Sequence, residues 1–494
     1  MPWHAYEKNA TSPGGYVALD GFFAQGDDLR TPEHTKFSAC EAICNSNKAC
    51  LGFTFQTDVV VTTDPIVKCS WKKALHFTAN VKTNCVAPGG AGKPLCAPLP
   101  GEMGLGGYYG HYQGHWLSST AFLVNTTQNA TVKARADEAI STLSSVMDSW
   151  KAKYGYDGYL FPYDPLVWDK LLAGHGAGPY YSVPFYTLHK LMAGLLDQYT
   201  HAGSEEAFVL VKKMASWAHD RVEACIQAGG EDLWQRVLLT EWGGMNDVLY
   251  HLYEHTQDPM HLATARRFNG FVFTAPLSVG VDALSSLPFP HANFHLPEIV
   301  GNARAYALTG NETDAKVASN FYNILTTNHS YATGGSNSGE CWQDARDLGA
   351  FLTTQTEESC TQYNILKVAR SIFQWSADAK IADFYERAIL NGIVGNQNRL
   401  DPGATSYIYM LPLGGVVNKA WGKSDYGFPC CWGTLSESFA KLGDSIYFTS
   451  PDGSQEVFVN QFVSSSLDLA QLGGRITQVR TLGRKVTSTL THIV

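Results

Sequence analysis

Apolar residues recur at helical spacing along most of this 494-residue chain. The blocks run over 112–123, 132–154, 184–199, 205–228, 245–255, 260–271, 298–309, 314–326, 359–375, 379–390 and 434–442,. They predict about a dozen helices with almost no strands between them. Paired helices in that number suit an (α/α)6 barrel. The periodicity alone fits an α-solenoid equally, but no repeating motif supports one. From about residue 450 the pattern changes to period two, and 456–460, 466–469 and 486–490 read as strands. Ahead of the helical region, 37–44 sets Cys40 and Cys44 on one helical face, while 50–55 and 68–72 read as strands,. A Gly/Pro-rich stretch, 86–106, reads as a linker. The predicted organisation is a mainly α protein: a small disulfide-rich α+β module (1–85), the linker, a helical barrel (107–449), and a β-segment (450–494).

Composition changes this picture in one respect. Of 11 cysteines, six fall in the first 96 residues: Cys40, Cys44, Cys50, Cys69, Cys85 and Cys96. An even, dense cluster reads as a disulfide framework made in an oxidising compartment. Asn-x-Ser/Thr sequons at Asn9, Asn125, Asn129, Asn311 and Asn328 support that reading,. The expectation is a secreted or vacuolar protein whose signal peptide is not visible in this sequence; a cytosolic protein without disulfides is the other reading. A net charge of −9 gives no reason to expect nucleic acid or an anionic membrane as partner,. No stretch approaches the ~18 apolar residues of a membrane helix.

Candidate chemistry lies in two stretches about seventy residues apart. One is Glu357-Glu358-Ser359-Cys360-Thr361; the other is Pro429-Cys430-Cys431-Trp432-Gly433. Glu358, Cys360, Cys430 and Cys431 make four ligands of types that zinc accepts, and four is its preferred number. Glu-x-Cys can converge on one ion at a helix start, where successive residues are not yet held on opposite faces. Buried structural thiols are the other reading of the same residues, and spacing alone favours it.

The words around these residues resemble the β-L-arabinofuranosidase families 127 and 146 of glycoside hydrolases. The likeness covers Glu357 to Lys367 and Cys430 to Thr434, with Glu437 to Tyr447 following, and runs from about residue 110 to 447. It implies an (α/α)6 barrel, a Zn2+ site of Glu358, Cys360, Cys430 and Cys431, and Cys430 as the nucleophile of a retaining glycosidase. Glu340 matches the family's acid/base. His111 and His115, His189, His291, and Glu241 with Asn246 match further motifs, pointing to sugar contacts. His111 and His115 serve equally as braces of the first helix, and Tyr409 lines either pocket or core. The family follows its barrel with a β-sandwich, and about 45 residues are too few for a complete one, so a truncated or mis-spliced end is expected. Residues 1–85 are similar to a PAN/apple module, which implies disulfides Cys40–Cys69 and Cys44–Cys50 and a role in binding glycan or protein.

The reading is therefore a zinc-dependent retaining glycosidase releasing terminal β-L-arabinofuranose from glycoproteins or cell-wall glycans. Its rivals are a non-catalytic secreted protein that binds carbohydrate or protein on the same barrel, and a different barrel glycosidase or lyase with a structural zinc site.

Overall fold

The computed structural model describes residues 110–162, 165–175, 183–398, 407–415, 417–421, 429–450, 456–469, 473–480 and 486–492, with the backbone of seven short strands between residues 3 and 79. Those strands are β1 (Trp3–Lys8), β2 (Tyr16–Leu19), β3 (Gly21–Phe23), β4 (Glu33–Lys36), β5 (Gly52–Gln56), β6 (Ile66–Lys72) and β7 (Phe77–Ala79). Five of them form an antiparallel sheet in the order β2-β1-β5-β6-β4, and β3 pairs with β7. The linker and the side chains of Cys40, Cys44, Cys50 and Cys69 lie outside the described residues.

Thirteen α-helices follow among the described residues. They are α1 (His111–Thr127), α2 (Ala130–Tyr154), α3 (Leu166–Lys170), α4 (Pro184–Ala202), α5 (Glu205–Val237), α6 (Met245–Thr256), α7 (Pro259–Arg267), α8 (Phe271–Ser278), α9 (Ala292–Thr309), α10 (Glu312–Asn328), α11 (Ser359–Ser376), α12 (Ala379–Ala388) and α13 (Cys430–Ala440). Six of them, α1, α4, α6, α9, α11 and α13, pack in that cyclic order, and α13 closes the ring against α1. Outer helices α2, α5, α7, α10 and α12 each pack on the inner helix that precedes them. The tightest joint is α1 on α4. A methyl on Gly114 would meet the Lys190 carbonyl oxygen at 2.1 Å, and one on Gly194 the Gly114 carbonyl oxygen at 2.5 Å. Any side chain there would push the two backbones apart.

The helix starts separate into two kinds. Outer helices α2, α5, α7, α10 and α12 begin on Asn129, Ser204, Asp258, Asn311 and Asp378, whose side chains accept first-turn N–H groups,. Inner helices begin on Gly110, Val183, Gly244, His291, Glu358 and Pro429, of which only His291 accepts such a bond. The ordinary stabilisers of helix ends are used outside the ring, and several inner starts carry the candidate chemistry.

The helix read over 205–228 extends to Val237, but Gly230 within it has φ 70° and ψ −174°, which breaks the spiral,. At the carboxy end β8 (Tyr447–Thr449) pairs with β9 (Val457–Val459), and β10 (Ser465–Leu469), β11 (Gly474–Arg480) and β12 (Val486–His492) form a three-stranded antiparallel sheet. β8 and β11 add to the three strands expected from the alternation.

Candidate active site

Glu358 is the residue before the first turn of α11, and Cys360 lies within that turn. This is the helix-start geometry that lets Glu-x-Cys converge. Cys430 and Cys431 are the first two residues of α13. The four ligand atoms all lie within 4.8 Å of one another. Cys431 Sγ is 3.3 Å from Glu358 Oε1 and 3.9 Å from Cys430 Sγ. A tetrahedral zinc site with bonds of about 2.0–2.3 Å has edges of about 3.3–3.8 Å, so the donor types and spacings fit the ion. Burial pushes Glu358 up to about 8 and raises Cys360 and Cys431. Cys430 goes the other way: it accepts from Cys360 and Cys431 and is held well below the ordinary thiol range,.

Asn337 fixes the carboxylate. Its Oδ1 accepts the Glu358 N–H at 3.0 Å, and its Nδ2 donates to Thr361 Oγ1 at 2.8 Å. Thr361 in turn donates to Glu358 Oε2 at 3.0 Å. Asn337 takes φ 72°, in the left-handed region that Asn tolerates better than most residues,.

Glu340 faces this cluster from the 330–347 loop. Tyr409 donates to Glu340 Oε1 at 2.5 Å and lies 3.6 Å from Cys430 Sγ, so that carboxylate oxygen and the sulfur are no more than about 6.1 Å apart. Retaining glycosidases hold their two catalytic groups ~5 Å apart. His291 Nε2 lies 3.4 Å from Glu340 Oε2, while its Nδ1 accepts the Phe294 N–H. The hydrogen bond from His291 lowers the Glu340 carboxyl. Burial opposes charge on His291, but the bond to Glu340 and the field of Glu241 outweigh it and raise the ring to about 9. Glu241 is pushed up to about 7 by burial, with His291 and Cys430 among the charges that act on it.

The other expected sugar contacts occupy different places. His189 packs beneath the 241–246 turn, where a methyl on Gly243 or Gly244 would meet its ring at 2.8 or 2.9 Å. His115 binds Glu437 on α13 at 2.5 Å, and Glu437 also accepts from Tyr363 of α11. His115 therefore ties the first inner helix to the last. His111 is buried with its ring edge-on to His115. Asn246 is buried between helices, donating to the Glu298 carbonyl of α9 at 2.9 Å. A methyl on Gly301 would strike its amide. The roles of Asn337 and Thr361 were not expected from the sequence, although Asn337 lies in a Gly-rich segment, 333–339.

The profile of the β-L-arabinofuranosidase GH127 catalytic domain matches residues 54–444. The chain belongs to that family. Its fold is similar to that of a GH127 β-L-arabinofuranosidase from Geobacillus stearothermophilus T6, at 21% identity and TM-score 0.58, over 78% of this chain and 64% of that one. A second GH127 β-arabinofuranosidase is 18% identical with TM-score 0.56, over 77% and 59% of the two chains. A structure described as a glycoside hydrolase is 16% identical with TM-score 0.55, over 77% and 63%. The chain thus spans about three fifths of the length of these three structures. Comparison with curated protein sequences finds no match.

Proposed function

We propose that this chain is a zinc-dependent retaining glycosidase that removes terminal β-L-arabinofuranose from glycoproteins or cell-wall glycans. The observation that carries the reading is the placement of Cys430 and Glu340 on either side of the Tyr409 hydroxyl, with Cys430 inside a four-ligand cluster. Zinc bound by Glu358, Cys360, Cys430 and Cys431 would keep the nucleophilic sulfur ionised at neutral or acidic pH.

In the first step Cys430 Sγ attacks the anomeric carbon, and the bond to the leaving oxygen breaks as Glu340 protonates that oxygen. In the second, Glu340 takes a proton from water, the water oxygen attacks the same carbon, and the Cys430 thiolate departs. Two inversions retain configuration. The hydrogen bond from His291 favours the carboxylate form of Glu340 at rest. Glu340 must therefore take up a proton as substrate binds, before the leaving oxygen can receive it. Tyr409 orients both partners, and Glu241, which feels the charges of His291, Cys430 and Glu340, is assigned to the sugar hydroxyls. The amino-terminal cysteines support a secreted or vacuolar setting for this reaction, with the first module holding glycan or protein.

The test is release of L-arabinose from a synthetic β-L-arabinofuranoside. It should be lost on removing metal with a chelator and restored by zinc, and metal analysis should give about one zinc per chain. Full activity in a metal-free preparation would sink the zinc assignment.

A further inference from the structure

Phe289 is 52% exposed. One of its faces is taken by the His291 ring, with centroids 5.6 Å apart and planes at 20°. Phe294 supports it edge-on at 5.5 Å. His291 in turn lies against Glu340 Oε2. Contacts thus run from Cys430 through Tyr409, Glu340 and His291 to Phe289. In a retaining glycosidase the proton donor sits at the leaving oxygen, so the far side of the donor is where the leaving group rests. A braced aromatic face on that side suits the apolar C–H face of a saturated ring better than a charged or extended group.

We infer that Phe289 is the platform for the leaving group, stacking the first sugar ring beyond the scissile bond. This rests on the function proposed above. It makes Phe289 a specificity residue, since its ring contributes to binding beyond the reacting centre, where binding energy can be used to orient the bond.

The test compares two substrates that share the cleaved sugar. One is a β-L-arabinofuranosyl disaccharide; the other is methyl β-L-arabinofuranoside, whose leaving group cannot stack. Phe289→Ala should lower kcat/KM for the disaccharide about tenfold and change the methyl glycoside less than about twofold. Phe289→Trp should keep the disaccharide preference. A melting temperature close to wild type checks that the variant is folded, as expected for a half-exposed ring. An equal loss on both substrates would mean that Phe289 only braces His291, and no loss on either would mean that the ring touches nothing; each overturns the inference. If wild type cleaves neither substrate, the proposed function has failed. The platform is then judged by calorimetric titration with the disaccharide, where equal affinity of wild type and Phe289→Ala overturns it and weaker binding by the variant supports it.

Discussion

Two pairs of buried carboxylates in the same barrel are held in opposite ways, while Asp197, beside the second pair, is raised to about 7 by burial. Near the inner helix starts, Glu358 and Glu241 are pushed up to about 8 and about 7, because burial acts on carboxylates whose neighbours include thiols and other acids. Further along the inner helices lies a cavity of 750 Å³, lined in part by Lys190, Asp247, Arg304, Lys367 and Glu437. There Asp247 meets Arg304 at 2.7 Å and Lys367 at 3.0 Å, and Glu437 meets His115 at 2.5 Å. Burial works against ionisation of both, yet these partners hold both carboxyls far below the ordinary range. Burial is common to the two sets, so the difference lies in the partners. Asp247 and Glu437 are met by the chain's own cations, Arg304 and Lys367 for the first and Lys190 and Lys441 for the second, with burial holding His115 below its ordinary range, whereas the cluster at Glu358 is built from groups that suit a bound cation,.

The sharpest way to break this contrast is to remove its reactive end. Cys430→Ser should lower turnover by about 10⁴-fold or more on natural and nitrophenyl glycosides alike, since neither can form the covalent intermediate. Wild-type activity in that variant, followed by arabinose release, would require a different nucleophile. Glu340→Gln should cost ~10²–10⁴-fold on a natural glycoside and far less at the glycosylation step of a nitrophenyl glycoside, which needs little protonation. Equal slowing of that step for both substrates would remove Glu340 from the role of proton donor.

The deeper set should respond in stability. Asp247→Asn leaves Arg304 and Lys367 without their shared anion and should cost about 3–5 kcal/mol by urea unfolding, the usual penalty for opening a buried pair. Asp247 has its folded value depressed, so its contribution is fully present above the unfolded carboxyl's ~3.9 and is lost as pH falls below it,. The wild-type advantage over Asp247→Asn should therefore shrink between about pH 5 and pH 2. A gap independent of pH would refute the ion-pair account. The smallest effect belongs to the support of the metal ligands: Asn337→Ala should weaken zinc binding about 10–100-fold in a competitive chelator titration. Unchanged affinity would show that Thr361 and the α11 backbone hold Glu358 unaided.

Much of the fold and of the cluster was legible in the sequence because it is written locally. Helical spacing marks the inner and outer helices, and Glu358-Ser359-Cys360 needed only a helix start to converge. What escaped depends on contacts across the chain. Asn246 stands in a motif beside Glu241, but Gly301, 55 residues later, draws its amide into an interhelical joint. The hydrogen-bonded roles of Asn337 rest on a left-handed backbone angle that a Gly-rich segment permits without announcing. Gly230 ends a helical run that its flanking residues would continue. Strand β11 was missed because Gly474-Arg475-Ile476-Thr477-Gln478 alternates only weakly, and its place is set by pairing with both neighbours.

The joint between α13 and α1 bears on how the molecule comes into being. His115 and Glu437 are 322 positions apart, and the same late helix carries Cys430 and Cys431. A ribosome making about 5–20 residues per second releases Glu358 and Cys360 seconds before their thiol partners. Until then the nascent barrel is an open arc with half a ligand set. Joining its ends closes a very long loop, a slow kind of contact to form. Completion of the four-residue cluster and completion of the ring are thus one event, and a chain released before residue 430 can have neither.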